Sequence, residues 1–249
     1  MMNNMQDEFI ATVSHELRTP LTSIRGFSQT LLNSWDKIDD ANKKKFIKII
    51  EDQSNRLIHL VENVLSVSKT HAGSEVLKKI NVNEAISKLI PLFTEQYKTR
   101  HFELELEKHL PPARLDEDKF QQVMTNLIDN AAKYSVNGKT VLVSTGISEN
   151  MILIKVKDEG VGIKKEDRDK IFKKFSRLEN HLTSTTQGNG LGLYITKQLV
   201  ERMHGDIDFE SEEGKGTVFI VRFPVYNQEE ALRCSHMSLS LIHISEPTR

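Results

Sequence analysis

Apolar residues open the chain at helical spacing. Ile10, Val13, Leu17, Leu21, Ile24 and Leu31 share one side of a predicted amphipathic helix over residues 3–34, which Pro20 interrupts and should bend. A second helix is predicted over 39–71, where Phe46, Ile50, Gln53, Leu57, Leu60, Val64 and Val67 step by alternating fours and threes, the spacing of a coiled-coil seam. A lone pair of helices with such thin stripes buries them poorly, so the expectation is a helical hairpin that dimerises into a four-helix bundle. His71-Ala72-Gly73-Ser74 reads as the stop and linker, with Gly73 as the C-terminal signal.

The pattern changes from Glu75 onward. Strand-like runs at 102–106, 140–144, 151–156, 207–210 and 217–223 alternate with helical stretches near 83–98, 116–134 and 189–204, which predicts an α/β sandwich. The segment from Gly146 to Asn150 reads as a hairpin turn, so the sheet is expected to be mixed, unlike a doubly wound dinucleotide fold. The expected class is therefore α plus α/β, with a helical domain at 1–71, a linker at 72–75, a sandwich domain at 76–225 and a tail at 226–249. From about residue 233 the tail continues no earlier pattern and reads either as a non-native extension or as a flexible native terminus.

Composition narrows the classes. A length of 249 residues favours two domains, and 38% hydrophobic with 28% charged residues excludes wholesale disorder. Lysine and arginine total 34 against 35 acidic residues, so the net charge of −1 gives no reason to expect nucleic acid or direct membrane contact. The single cysteine, Cys234, excludes an internal disulfide and a thiolate metal cage and fits a reducing, cytoplasmic compartment. No apolar run nears the roughly 20 residues of a membrane helix, and the first residues do not form a signal peptide.

Candidate chemistry comes from two constellations. His15 lies two positions from each of the seam residues Val13 and Leu17, which turns it away from the seam toward water. Glu16 beside it and Thr19 one turn on put an imidazole, a carboxylate and a hydroxyl on one patch, suited to a nucleophilic histidine. The surrounding Ser14-His15-Glu16-Leu17-Arg18-Thr19-Pro20-Leu21-Thr22-Ser23-Ile24 resembles the phosphoacceptor box of sensor histidine kinases of two-component systems. That resemblance implies phosphorylation of His15, a base or orienting role for Glu16, and a water-positioning role for Thr19 when a phosphorylated partner is hydrolysed.

In the second constellation Asn126, Asn130, Lys133 and Tyr134 form one polar stripe on the helix at 116–134, chemically matched to a metal–nucleotide. Asp158-Glu159-Gly160-Val161-Gly162 then leaves a strand through a turn in which glycine lets backbone approach a flat ring and the carboxylate can accept from an exocyclic amine. Gly188-Asn189-Gly190-Leu191-Gly192 runs into a helix whose N-terminal amides suit phosphate, and residues 176–187 read as a polar lid. In this order the segments resemble the ATP-binding domain shared by histidine kinases, DNA gyrase, the large heat-shock chaperones and mismatch-repair ATPases, over Val76 to Val225. The resemblance implies a Bergerat-type fold binding ATP and Mg²⁺, with Asn130 as the metal ligand and Phe172 to Phe175 as the phenylalanine box. Gly214-Lys215-Gly216-Thr217 matches the third glycine box or is simply a hairpin turn, and Arg177 either reaches the γ-phosphate or is a surface arginine. Asn189 departs from the commoner threonine, which affects a side-chain contact and not the backbone amides.

Together the motifs imply a homodimeric histidine autokinase that passes its phosphoryl group to an aspartate of a response-regulator receiver domain and also serves as its phosphatase. A start so near the phosphoacceptor helix suggests the catalytic core of a longer receptor, either the cytoplasmic part of a membrane-anchored one or a soluble kinase. The alternatives are an ATP-driven dimerisation switch of the gyrase and chaperone kind and a nucleotide-tuned scaffold, neither of which phosphorylates His15. The remaining histidines show no paired metal-ligand spacing.

Overall fold

A computed structural model of the chain describes residues 2–69, 77–135, 139–174, 176 and 190–227, with side chains from Val13 onward except those of 59 and 62–69. The linker, Phe175, residues 177–189 of the polar lid and the glycine segment after it, with Arg177 and Gly188, and the tail from 228 lie outside the described residues, as do the seam side chains of Ile10, Val64 and Val67. The chain divides into two compact units, residues 1–73 with 173–195, and residues 74–172 with 196–249.

The first unit contains two long helices, α1 (Met2–Ser34) and α2 (Asp40–Lys69), joined through a 3₁₀ turn at Trp35–Lys37. Pro20 lies inside α1 without ending it, contrary to the expected interruption. A proline removes one backbone bond, and α1 runs on for fourteen residues beyond it with Pro20 itself buried. Asp39 starts α2 by accepting from the Asn42 backbone N–H at 3.0 Å and from its side-chain amide at 2.6 Å. These two bonds hold the Asp39 carboxyl below its usual pKa. Phe27 packs on Phe46 with ring centroids 5.1 Å apart, and Leu31 and Leu60 are buried. The rest of the expected seam is only half covered: Phe46, Ile50, Gln53 and Leu57 are intermediate, and Leu21 is 53% exposed.

The second unit is built on a five-stranded sheet in the order β2 (His101–Glu105), β4 (Thr140–Ser148), β5 (Met151–Lys157), β7 (Gly216–Pro224), β6 (Asp206–Glu212). Only β2 and β4 run parallel, so the sheet is mixed as expected. Two short strands absent from the sequence expectation, β1 (Lys78–Ile80) and β3 (Ala113–Leu115), pair antiparallel in a separate small sheet. Period-two alternation sends Val143, Val156 and Phe219 to one face in register, with Ile154, Val221 and Ile207 in the next row. The helices α3 (Val82–Gln96) and α4 (Glu117–Tyr134) belong to this unit, as does α5 (Gly192–Arg202) from Thr196 onward. The helix α4 buries Phe120, Val123, Met124, Leu127, Ile128, Ala131 and Ala132 completely or nearly so, and Phe120 meets Phe223 of β7 edge to face at 5.8 Å. The β4–β5 hairpin turns through Glu149 and Asn150, both at positive φ, the backbone of a two-residue primed turn.

Candidate functional site

On α1, His15 and Thr19 are both exposed and stand one helical turn apart. The Thr19 hydroxyl donates to the His15 carbonyl at 3.3 Å, which leaves the imidazole itself open to solvent. Glu16 does not join this patch as the sequence reading expects. Its Oε2 accepts from Arg56 Nη2 of α2 at 3.2 Å, in a pair whose side chains are each 22% exposed. A residue next to His15 is rotated about 100° around the helix, which carries the carboxylate toward α2, where an opposite charge waits. Oε1 of Glu16 has no hydrogen-bond partner among the described residues. Ser14, Leu17, Arg18, Leu21, Thr22 and Arg25 line an open groove along α1 beside this patch.

In the second unit, α4 and the segment after β5 carry the other constellation. Asp116 caps α4 by accepting from the Lys119 N–H, and the buried apolar stripe fixes which face Asn126, Asn130 and Lys133 occupy. Asn126 donates through Nδ2 to Thr196 of α5 at 2.5 Å, so this amide ties two helices together. Lys133 pairs with Asp129 one turn before it at 2.5 Å, and Asp129 also accepts from the Tyr97 hydroxyl at 2.6 Å. The half-buried Asn130 amide makes no hydrogen bond among the described residues. Of the polar stripe, it is the amide left for a ligand.

Asp158 follows β5 directly and is 4% exposed. Its Oδ1 accepts from the backbone N–H of Gly160 at 2.9 Å and of Thr217 at 3.2 Å. Burial nevertheless outweighs these two bonds and raises its pKa to about 6. The glycines around it serve a purpose the sequence reading did not anticipate. A Cβ on Gly160 would lie 2.1 Å from the Tyr134 carbonyl oxygen, and one on Gly162 would lie 2.0 Å from that of Glu212. A Cβ on Gly216 would lie 2.1 Å from the carbonyl oxygen of Asp158 itself. The missing side chains make room for the protein's own backbone, which wedges the Asp158 segment between the end of α4 and the β6–β7 hairpin. Gly214-Lys215 lies in the turn of that hairpin, and Gly216 beyond it is a packing position against the Asp158 backbone.

Gly190, at φ +66°, and the buried Leu191 lead into α5, whose first bond runs from the Ile195 N–H to the Leu191 carbonyl. Gly192 is the first residue of that helix. Phe172 of the phenylalanine segment packs on Phe209 at 6.0 Å, with the Lys197 ammonium 5.4 Å from its ring centroid. Several participants escaped sequence reasoning. Arg56 lies forty residues from its partner Glu16 and carries no local signal, whereas Asp129, four residues before Lys133, is readable as a helical ion pair. Ser135, at the end of α4, buries a hydroxyl with no hydrogen-bond partner among the described residues beside its bridge to Gly160.

Residues 5–73 match the His Kinase A (phospho-acceptor) domain, and residues 115–227 match the histidine kinase-, DNA gyrase B-, and HSP90-like ATPase family. The sensor histidine kinase WalK of Bacillus subtilis is 37% identical over 238 residues, covering 92% of this chain and 38% of WalK. The sensor protein SrrB of Staphylococcus aureus is 34% identical over 90% of this chain and 39% of its own length. The chain thus spans under two-fifths of these relatives. Among solved structures, the Acinetobacter baumannii histidine kinase AdeS superposes with a TM-score of 0.68 at 27% identity over 86% of this chain and 98% of that one. Histidine kinase ThkA in complex with response regulator protein TrrA gives 0.70 at 26% identity, over 90% and 63%. ShkA in complex with AMPPNP gives 0.64 at 26% identity, over 88% and 46%. A helical phosphoacceptor segment with an exposed histidine, followed by a mixed-sheet ATPase fold with a buried aspartate in its glycine turn, agrees with both matches: the chain belongs to the sensor histidine kinases and comprises their catalytic core.

Proposed function

We propose that the chain is an autokinase that moves the γ-phosphoryl group of ATP to His15 and from there to an aspartate of a response-regulator receiver domain. The observation that carries this reading is the pairing, in one chain, of a solvent-exposed His15 on a helix with a desolvated Asp158 carboxylate held in a glycine turn. The residues fit the nucleotide. Asp158, fixed through Oδ1, accepts the exocyclic amine of adenine, and Asn130 keeps an uncommitted amide for a hard cation. Asn130 would hold Mg²⁺, which when bound would neutralise charge on the phosphates. The backbone amides at Gly190, Leu191 and Gly192 and the preceding Gly188, with Lys133, Tyr134 and Arg177, contribute the phosphate and ribose contacts, and the ATP-binding domain extends over 76–225.

The lone pair of an unprotonated imidazole nitrogen attacks the γ-phosphorus while the bond to the bridging oxygen breaks and ADP leaves. The proton on the other ring nitrogen goes to Glu16, whose Oε1 is uncommitted, once its side chain turns from Arg56 of α2 back toward the imidazole. Positioning carries most of the rate, since phosphoryl transfer asks for aligned groups more than for a strong base. In the reverse role, Thr19 orients water against the phosphorylated receiver. Two protomers pair through the half-covered α1 and α2 seam into a four-helix bundle, with the helical domain over 1–71. No helix among the described residues is long and apolar enough to cross a membrane, and we place the reaction in the cytoplasm, where ATP is. The resemblance of ThkA, solved with a response regulator protein, supports the receiver as partner. Incubating phosphorylated chain with a receiver domain tests this: label moves to an intact receiver and stays on the kinase when the receiver's acceptor aspartate is replaced by asparagine. Hydrolysis of ATP with no phosphoprotein at any time would contradict it.

A further inference from the structure

The stripe on α4 contains an ion pair that the kinase reading does not use. Lys133 Nζ lies 2.5 Å from Asp129 Oδ2, and the two side chains are 33% and 22% exposed. The second oxygen of Asp129 accepts from the Tyr97 hydroxyl at 2.6 Å, and Tyr97 ends α3, its N–H bonded to the Phe93 carbonyl. Burial and the adjacent carboxylate raise the Tyr97 pKa, so the phenol remains a donor throughout the accessible pH range. The carboxylate is therefore fixed from two sides. It is bound to α3 through one oxygen and faces the ammonium through the other. Asn130, the amide available for the nucleotide's cation, is the residue immediately after Asp129.

We infer that Asp129 is a positioning residue for nucleotide binding: anchored by Tyr97, it parks the Lys133 ammonium away from the phosphates until a nucleotide competes for it. The inference rests on the reading of this unit as an ATP site. A fixed counter-ion restrains the lysine in two ways. It compensates the positive charge next to Asn130, and it holds the long side chain against the axis of α4, near whose C-terminus a cation is already favoured. Phosphates must draw the ammonium from this partner, so part of their attraction is spent on exchange. Adenosine, which has no phosphate, meets no such competition.

Isothermal titration of Mg·ATP and of adenosine into the intact chain and into Asp129→Asn tests the inference. The asparagine still accepts from Tyr97 and releases the lysine, so Mg·ATP binds about three- to fivefold tighter while adenosine affinity is unchanged, which also reports an intact fold. In a Lys133→Gln background the same substitution leaves Mg·ATP affinity unaltered, because its effect passes through the ammonium. Unchanged or weaker Mg·ATP binding in Asp129→Asn, or an equal gain with Lys133→Gln, overturns the inference. A wild-type chain that binds neither ligand overturns the nucleotide reading itself and this inference with it.

Discussion

Asp158 concentrates the electrostatics of the proposed nucleotide site in one carboxylate. Its pKa of about 6, against 3.8 for the free group, comes first from burial. The folded chain holds this proton more tightly than the unfolded one, so the group's contribution to stability is complete below 3.8 and is lost as pH rises through about 6. Binding runs the other way. In the proposed site the ionised carboxylate is the acceptor for the adenine amine, so Mg·ATP affinity is expected to fall as pH is lowered through about 6, and fluorescence titration of a labelled analogue follows it. Asp158→Asn weakens binding at neutral pH by about tenfold or more and removes this pH step. The backbone around it is equally specific. Gly162→Ala must place a Cβ 2.0 Å from the Glu212 carbonyl oxygen at φ +65°, and denaturant melts of the chain should show a loss of about 2 kcal/mol or more. Gly26→Ala, on exposed α1 with nothing within 4 Å, should gain about 0.5–1 kcal/mol in the same measurement. Residue types at Asp158, Gly160 and Gly162 were legible from the sequence, but their use was not. A glycine in a motif does not say whether a ligand or the protein's own backbone fills the space, and only the fold brings Tyr134 and Glu212 there.

At the level of elements, long periodic segments were readable and short ones were not. Both long helices, the three shorter helices α3, α4 and α5 and all five strands of the main sheet lie where the hydrophobic pattern places them, within a few residues. The pair β1 and β3 was missed because three-residue strands carry too little alternation to register; they exist because they find each other across the chain. Pro20 shows the reverse case, a strong local breaker overridden inside a helix of 33 residues. The end of α5 offers a test of local strain. His204 adopts φ +58°, and the Gly205 N–H closes back to the Val200 carbonyl at 2.9 Å, a Schellman-type stop with the wrong residue in the left-handed position. His204→Gly relieves that conformation and should raise the stability of the second unit by about 1 kcal/mol in urea unfolding; a loss of stability would show that the imidazole contributes more than the strain costs.

For the molecule as a whole, the half-covered helical seam and the ATPase fold make separate demands. Leu21, 53% exposed on α1, is poorly placed in a monomer, and Leu21→Asp should convert a dimer to monomers in analytical ultracentrifugation without unfolding either unit. The general organisation was visible in the sequence because each half has its own hydrophobic period. The pairing of Glu16 with Arg56 and of Asp129 with Tyr97 was not, since both depend on residues brought together from more than thirty positions apart. The central claim is that His15 receives the γ-phosphoryl group of ATP. Its most direct measurement is to incubate the chain with γ-labelled ATP and Mg²⁺ beside His15→Ala, and to test the labelled protein in acid and in alkali. The account predicts label on the wild-type chain that is lost in acid, survives alkali, and is absent from His15→Ala; label that persists in His15→Ala, or none on a wild-type chain that binds Mg·ATP, would contradict it.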